Sequence, residues 1–305
     1  RGYLYILNAN TGALSRTIPT GVGDTTTPNG LGRIVAWAQF PENNNTALRA
    51  YGGDQLGNVW RFDINGDIPA PAVPPASPVY DAQRLATLRD ASGVAQAITA
   101  RPEIAIVDNY PVVYVATGQL LGSNDLATTQ TQSLYAIKDR LLDLDYGNPR
   151  TATGNDDFVE QTLTAATCPT GNAYCTAGDP IFTITGNAMD WAVKGGAFVD
   201  LTIAGERVTT DLRLQAGTLA FTSNQPTQND PCVPGGKSIL YAVDYRSLGP
   251  VTGTGGLAGI RLGSYLATSP SIVRLVDGTI RALIRTDAPG TIAAPIPAAP
   301  TPQDT

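Results

Sequence analysis

Histidine is absent from the 305-residue sequence, and only three cysteines and one methionine occur in it. Without histidine the chain cannot assemble a Ser-His-carboxylate or Cys-His catalytic group, and the pattern Gly-x-Ser-x-Gly does not occur either. A zinc site would need a second close cysteine pair or histidine ligands. These absences exclude the usual serine-hydrolase and structural-zinc chemistries.

Charged residues are also scarce, at 15% of the chain with a net charge of -6. The twenty lysines and arginines are scattered without a basic run, which argues against a nucleic-acid partner. No stretch approaches the roughly 20 apolar residues of a membrane span. The 32 glycines and 23 prolines are typical of turn-rich, secreted β proteins. Because a strand pattern already begins by Tyr3, we expect the chain to start inside a larger polypeptide.

Four short stretches share one pattern, centred on the aromatic residues Tyr5, Trp60, Tyr135 and Tyr241. Each aromatic follows an aliphatic residue and precedes another apolar residue two positions later, which is the alternation of a β-strand. Recurrence of such a strand predicts a radial all-β array, because one small sheet cannot bury its own face. We expect these aromatics to pack between blades and not to act as ligand platforms.

The recurring strands predict one all-β, β-propeller-like domain over residues 1–285. Its blades are expected to be of the quinoprotein type and to be partial or decorated. The irregular spacing of the four copies predicts insertions, and residues 140–180 are expected to form one on the rim. Two hairpins are predicted, one pairing 103–107 with 112–117 and one around Asp277-Gly278. Residues 286–305 are rich in Ala and Pro and are expected to form an extended tail.

Three local sequences invite a chemical interpretation. Cys168 and Cys175 bracket a polar loop and are predicted to form a disulfide, in which case Cys232 is free or competes for one of the pair. Gly235-Gly236-Lys237-Ser238 looks like the end of a phosphate-binding loop, but it leads into a strand and not a helix. Asp143 and Asp145 begin like a calcium loop, yet Gly154 stands where a bidentate Glu should close the shell, so a solvated acidic loop is favoured.

A family resemblance enters at residues 50–63, which read AYGGDQLGNVWRFD. They resemble the signature of the C-terminal β-propeller of the PilC/PilY family of type IV pilus tip adhesin and biogenesis proteins. Further agreeing blocks lie in the same order along the chain, at residues 113–121, 132–139, 205–208 and 230–238.

The resemblance implies a protein that is exported through the periplasm to the pilus tip or outer-membrane surface. There it would act with minor pilins and the pilus tip complex in pilus assembly, control of retraction, twitching motility and adhesion to a host or abiotic surface. That role is binding and not catalysis, so no enzyme activity is expected. The insertion at 140–180 and the loop at 118–131 are the expected partner surfaces.

The family often carries a calcium loop just before the 50–63 segment. Here the matching positions read Phe40, Glu42, Asn44, Thr46 and Leu48. A single acid cannot hold a dication that takes six to eight oxygens. We therefore predict that Glu42 and Asn44 belong to a degenerate, metal-free loop and that the chain needs no cofactor.

Two alternatives share the predicted fold. A quinoprotein-like dehydrogenase would need an adjacent cysteine pair, which is missing, and a calcium cluster by the quinone, which is not visible in the sequence. A periplasmic or outer-membrane assembly scaffold would use the same blades in another location, and the sequence hardly separates it from a pilus-tip protein.

Overall fold

The computed structural model describes residues 1–38, 41–64, 82–142, 145–227, 235–287 and 290–298. Their regular secondary structure is almost entirely β-strand, with short 3-10 segments at Ser123–Ala127 and Gly154–Asp156. None of the helices in the described ranges is long and apolar enough to cross a membrane.

Within the described residues the strands fall into five sheets, built mostly from consecutive strands. The first ten strands are β1 (Tyr3–Leu7), β2 (Leu14–Pro19), β3 (Ile34–Trp37), β4 (Arg49–Gly53), β5 (Asn58–Asp63), β6 (Ala82–Thr87), β7 (Glu103–Val107), β8 (Tyr110–Ala116), β9 (Ser133–Lys138) and β10 (Phe158–Gln161). The remaining strands are β11 (Leu163–Thr167), β12 (Pro180–Ile184), β13 (Gly196–Asp200), β14 (Arg213–Gln215), β15 (Thr218–Pro226), β16 (Gly236–Asp244), β17 (Leu257–Gly263), β18 (Ser271–Arg274), β19 (Ile280–Arg285) and β20 (Thr291–Ile296).

Three of the sheets contain a four-stranded antiparallel blade. Blade A is β3-β4-β5-β6, blade B is β7-β8-β9-β13 and blade C is β14-β15-β16-β17. A pair, β1-β2, precedes them and a three-stranded sheet, β18-β19-β20, follows. From blade A onward, the first strand of each sheet contacts the first strand of the next one. β3 contacts β7, β7 contacts β14, and β14 contacts β18. Successive sheets thus radiate from a common inner edge, which confirms the predicted partial, decorated β-propeller.

The four aromatic copies lie where the pattern predicts, in strands β1, β5, β9 and β16. In blades A, B and C that strand is the third one. Residues on both faces of β5 and β9 are buried, because a blade is covered by neighbours on both sides. The exception is Tyr5, which is 57% exposed: no sheet of the described chain covers that face of β1.

Each interface between successive sheets holds its own apolar cluster. Val113 and Val115 of β8 face the cluster shared with blade A, while Val112, Tyr114 and Ala116 face the cluster shared with blade C. Further clusters join β1-β2 to blade A and blade C to the last sheet. The two-residue alternation therefore distributes one strand's side chains between two cores. Burying each such side chain contributes about 1.5–3 kcal/mol.

Both predicted hairpins are confirmed. Asp108 and Asn109 connect β7 to β8 with positive φ angles of 47° and 69°, as a type I′ turn requires. Asp277-Gly278 connects β18 to β19, and Gly278 has a φ of 84°.

The segment 140–180 differs from a simple rim loop, because it contributes strands to two blades. β10 pairs in parallel with β13 at the outer edge of blade B. Only Thr162 separates it from β11, which pairs with β12, and β12 in turn adds to β17 at the outer edge of blade C. Residues 158–167 thus form a strap across the outer edges of both blades.

The tail also differs from the prediction. Residues 291–296, inside the expected extended tail, form β20 and pair along their whole length with β19. Ala294 and Ile296 are buried in the last apolar cluster. Their small and apolar side chains suit a packed strand, so the Ala- and Pro-rich composition does not mark a domain end here.

Candidate interaction surface and the polar contacts that support it

Asp54, in the turn between β4 and β5, organises the segment that carries the family resemblance. Its carboxylate is fully buried. It accepts hydrogen bonds from the backbone N–H groups of Leu56 and Asn58, both at 2.9 Å, and from Trp60 Nε1 at 2.8 Å. The side-chain amides of Asn58 and Asn29 donate to the same carboxylate. Trp60 is therefore fixed by hydrogen bonding as well as by packing.

A second buried carboxylate, Asp139, joins blade A to blade B. Asp139 follows β9, and it accepts Arg61 Nη1 of β5 at 2.8 Å and the Tyr51 hydroxyl of β4 at 2.7 Å. The Arg61 and Asp139 side chains are 2% and 0% exposed. Burial, followed by the Asp139 charge, raises the pKa of Tyr51 well above its usual value, so Tyr51 stays a neutral donor.

The tyrosines of the other two copies also donate to polar partners. Tyr135 donates to Gln96 Oε1 at 2.8 Å, and burial raises its pKa to about 12. Tyr241 donates to Glu206 Oε1 at 2.9 Å and stacks on Phe221 at a ring distance of 5.1 Å. Burial raises the pKa of Glu206 as well. Such contacts suit blade-to-blade packing, and tyrosines with raised pKa values are poor bases at neutral pH.

The loop at 118–131 is held in place from below by Arg207. The Arg207 guanidinium donates to the backbone carbonyls of Gln119 at 3.1 Å and Thr128 at 2.8 Å, and also to that of Asp125. The Asp125 carboxylate accepts the Leu121 N–H at 2.7 Å. Leu121 itself is 63% exposed. A fixed backbone with an apolar side chain at its tip is a suitable docking element.

The strap at 158–167 is fixed by Gln161, which is almost fully buried. Its side-chain amide donates to the carbonyls of Asn187 at 2.8 Å and Ser247 at 3.0 Å, while its Oε1 accepts the Thr185 hydroxyl at 2.8 Å. Between β11 and β12, a disulfide joins Cys168 and Cys175, whose Cα atoms are 6.1 Å apart. Cys232 lies outside the described residues.

The described positions aligned with a calcium loop differ in their exposure to solvent. Glu42 and Asn44 are exposed, and Asn44 Oδ1 accepts the Thr46 N–H at 3.0 Å. Leu48 packs against the apolar cluster between blades A and B, and Phe40 lies outside the described residues. Asp145 pairs with Arg84 at 2.7 Å, and Asp143 is also outside the described ranges. Within those ranges, no three His, Cys, Asp or Glu residues are grouped to hold a metal ion.

Sequence reasoning placed the four aromatics in strands, of which Tyr5 is exposed and does not pack between blades. It assigned no role to the buried polar residues described above. Asp54, Asp139, Glu206 and Arg207 all lie within the blocks that carry the resemblance. The available signal was a charged residue adjoining a buried strand. Its partner lies up to 88 residues away in the chain, so local patterns do not identify it.

Comparison with known proteins identifies the family of the chain. The family model described as the PilY1 beta-propeller domain matches residues 1–169, more than half of the chain. The chain belongs to this family. It is 28% identical over 274 residues to the type IV pilus biogenesis factor PilY1 of Pseudomonas aeruginosa, covering 79% of this chain and 22% of that protein. A PilY1 homologue of Xylella fastidiosa is 27% identical over 268 residues, covering 83% of this chain and 17% of that protein.

The fold is likewise that of a solved family structure. The crystal structure of the P. aeruginosa PilY1 C-terminal domain superposes with a TM-score of 0.69 at 20% identity, covering 97% of this chain and 66% of that one. At this identity the likeness concerns the fold. The chain spans about a fifth of the length of the curated relatives that it matches.

Proposed function

We propose that this propeller acts in type IV pili as a tip-associated protein that takes part in assembly, in control of retraction and in surface adhesion. The observation that carries the proposal is its membership of the PilY1 β-propeller family, whose curated relatives are named type IV pilus biogenesis factors. The proposed location is extracellular, at the pilus tip or outer-membrane surface, after export through the periplasm.

The partners proposed are the minor pilins and the pilus tip complex, together with a host or abiotic surface. Two features support contact through loops on a rigid scaffold. The loop at 118–131 presents exposed Leu121 above the Arg207 contacts. The segment 140–180 presents the disulfide loop and the outer edge of β11, which pairs with β12 alone.

The role proposed is binding and not catalysis, with no metal or cofactor. The chain has no histidine, and its buried carboxylates Asp54, Asp139 and Glu206 accept hydrogen bonds from structural donors. At the positions of a calcium loop, Glu42 and Asn44 are exposed and only Glu42 is acidic. Calcium takes six to eight oxygen ligands, so this supports a metal-free loop.

The test uses the full-length protein in the bacterium that encodes it. Leu121→Asp places a charge on the proposed contact without touching Arg207, so we expect fewer surface pili and weaker adhesion at an unchanged protein level. Val276→Asp is the matched control, since Val276 is a fully exposed apolar residue on the β18-β19 turn. Labelled protein should appear at filament ends on intact cells. Wild-type piliation with Leu121→Asp, or label confined to the periplasm, would argue for the assembly-scaffold alternative.

A further inference from the structure

A cavity of about 160 Å³, lined by both polar and apolar residues, opens beside the end of blade C. Glu206, Ser223 and Ser238 are among the residues lining it, and all three are at most 2% exposed. Exposed Lys237 and Arg261 also line it. Sites for drug-sized ligands span roughly 300–1,000 Å³, so this cavity suits one small molecule.

The buried groups of the cavity have unused hydrogen-bonding capacity. Glu206 Oε1 accepts the Tyr241 and Ser223 hydroxyls, whereas Oε2 has one long contact, from the Ile203 N–H at 3.4 Å. The Ser238 hydroxyl is buried and has no hydrogen-bond partner among the described residues. Leaving such a group unpaired is unfavourable, so a ligand that hydrogen-bonds to it binds more tightly.

One cation of the cavity, Arg261, acts electrostatically on Glu206, because its charge partly offsets the burial that raises the Glu206 pKa. Neither Lys237 nor Arg261 forms an ion pair with a described residue, and the Arg261 guanidinium lies over the Phe182 ring at 5.7 Å. With one carboxylate and two cations, the cavity favours an anion over an amine or a metal ion. The Glu206 carboxylate in turn favours a ligand that also offers hydroxyl donors.

We propose that this cavity binds a small polyhydroxylated carboxylate, with a hexuronic acid as the representative. The ligand carboxylate pairs with Lys237 and Arg261, and its hydroxyl groups donate to Glu206 Oε2 and exchange hydrogen bonds with Ser238. The inference goes beyond the proposed role in pili, because it concerns direct binding by the isolated chain. A failure of either proposal leaves the other standing.

The test is a ligand-observed NMR titration of the 305-residue chain with galacturonate, galactose and inorganic phosphate. A ligand of about a dozen non-hydrogen atoms at ordinary efficiency gives a Kd on the order of 1 mM. We expect galacturonate to bind in that range and galactose, which lacks the carboxylate, to bind at least tenfold more weakly. Equal binding of galactose, stronger binding of phosphate, or no binding of galacturonate would each overturn the proposal.

Variants locate the binding. Lys237→Gln removes one cation from an exposed side chain and should raise the Kd for galacturonate about fivefold or more. Ser238→Ala should raise it severalfold. Arg274→Gln, which removes an exposed cation from β18, is the matched control and should leave the Kd unchanged. If Lys237→Gln behaves like the control, the ligand binds elsewhere and the assignment is wrong.

Discussion

Replacing Asp139 with alanine should produce a large loss of stability. The variant removes the carboxylate that accepts from the Arg61 guanidinium at 2.8 Å, where the Arg61 side chain is 2% exposed. It also leaves the Tyr51 hydroxyl without its acceptor at 2.7 Å. Removing one partner of a buried ion pair costs about 3–5 kcal/mol. At ~2–4 °C per kcal/mol for a domain approaching this size, the melting temperature should fall by roughly 6 °C or more.

The assay is equilibrium unfolding in urea, with thermal unfolding as a second readout. Arg84→Ala is the control, because the Arg84–Asp145 pair has 41% and 30% exposed side chains and exposed pairs contribute about 0–1 kcal/mol. Asp139→Asn keeps a hydrogen-bond acceptor but removes the charge. Its loss of stability should lie between those of Asp139→Ala and Arg84→Ala. If Asp139→Ala destabilises the chain no more than Arg84→Ala does, the argument that a buried ion pair joins blades A and B is refuted.

Three further predictions concern other parts of the scaffold. Cys168→Ser should lower the free energy of unfolding by about 2–3 kcal/mol, from the chain-entropy value for a short loop, and added reductant should have no further effect on that variant. Gly57→Ala should be more destabilising in urea than Gly12→Ala: both glycines have positive φ, at 81° and 70°, but only at Gly57 would a Cβ meet a carbonyl, that of Leu88 at 2.6 Å. Burial raises the pKa of Glu206, so the folded state favours the protonated carboxyl over the ionised one. The stability that the protonated carboxyl contributes is present at low pH and is lost as the pH rises through the folded-state pKa. The stability of the wild type relative to Glu206→Gln should therefore rise as pH falls from 8 to 4, and a difference independent of pH would contradict this.

The sequence predicted the repeated strands because their pattern is local. A strand buried on both faces keeps consecutive apolar residues, as in β9, where the central residues 134–137 are apolar and all six residues are buried. The strap at 158–167 was missed because its residues are mostly Thr, Ala and charged or amide side chains, which suit an edge strand but give a weak signal. The same holds for β20, whose Ala and Pro residues suggested a tail.

The polar partners were beyond prediction for a different reason. The pattern around Tyr241 indicates a buried strand, but the acceptor for its hydroxyl is 35 residues earlier, at Glu206. Tyr5 shows that a strand pattern alone does not determine burial. It has the same pattern as Tyr135, yet it is 57% exposed while Tyr135 is fully buried, because burial depends on what lies against the strand.

The polar contacts between sheets explain how a stack of small blades holds one geometry. Apolar contact is non-directional, so an interface of aliphatic side chains alone would tolerate rotation of one blade against the next. The interfaces between blades A and B, between blades B and C, and between blade C and the last sheet add directed hydrogen bonds. The Tyr114 hydroxyl of blade B donates to the Tyr245 carbonyl after β16 at 2.7 Å. Between blade C and the last sheet, the Asn224 side chain both donates to the Ala267 carbonyl at 2.9 Å and accepts its N–H at 2.7 Å.

Directed contacts of this kind set the angle between blades, and that angle sets the spacing of the loops that the blades carry. Arg207 illustrates the connection, because one guanidinium adjoining β15 fixes the backbone of the loop at 118–131 on blade B. A substitution at such a contact is therefore expected to alter the loop surface even where the fold survives. Substitution of Arg207 should therefore change the loop surface directly, whereas substitutions in the apolar clusters should act on it through a loss of global stability.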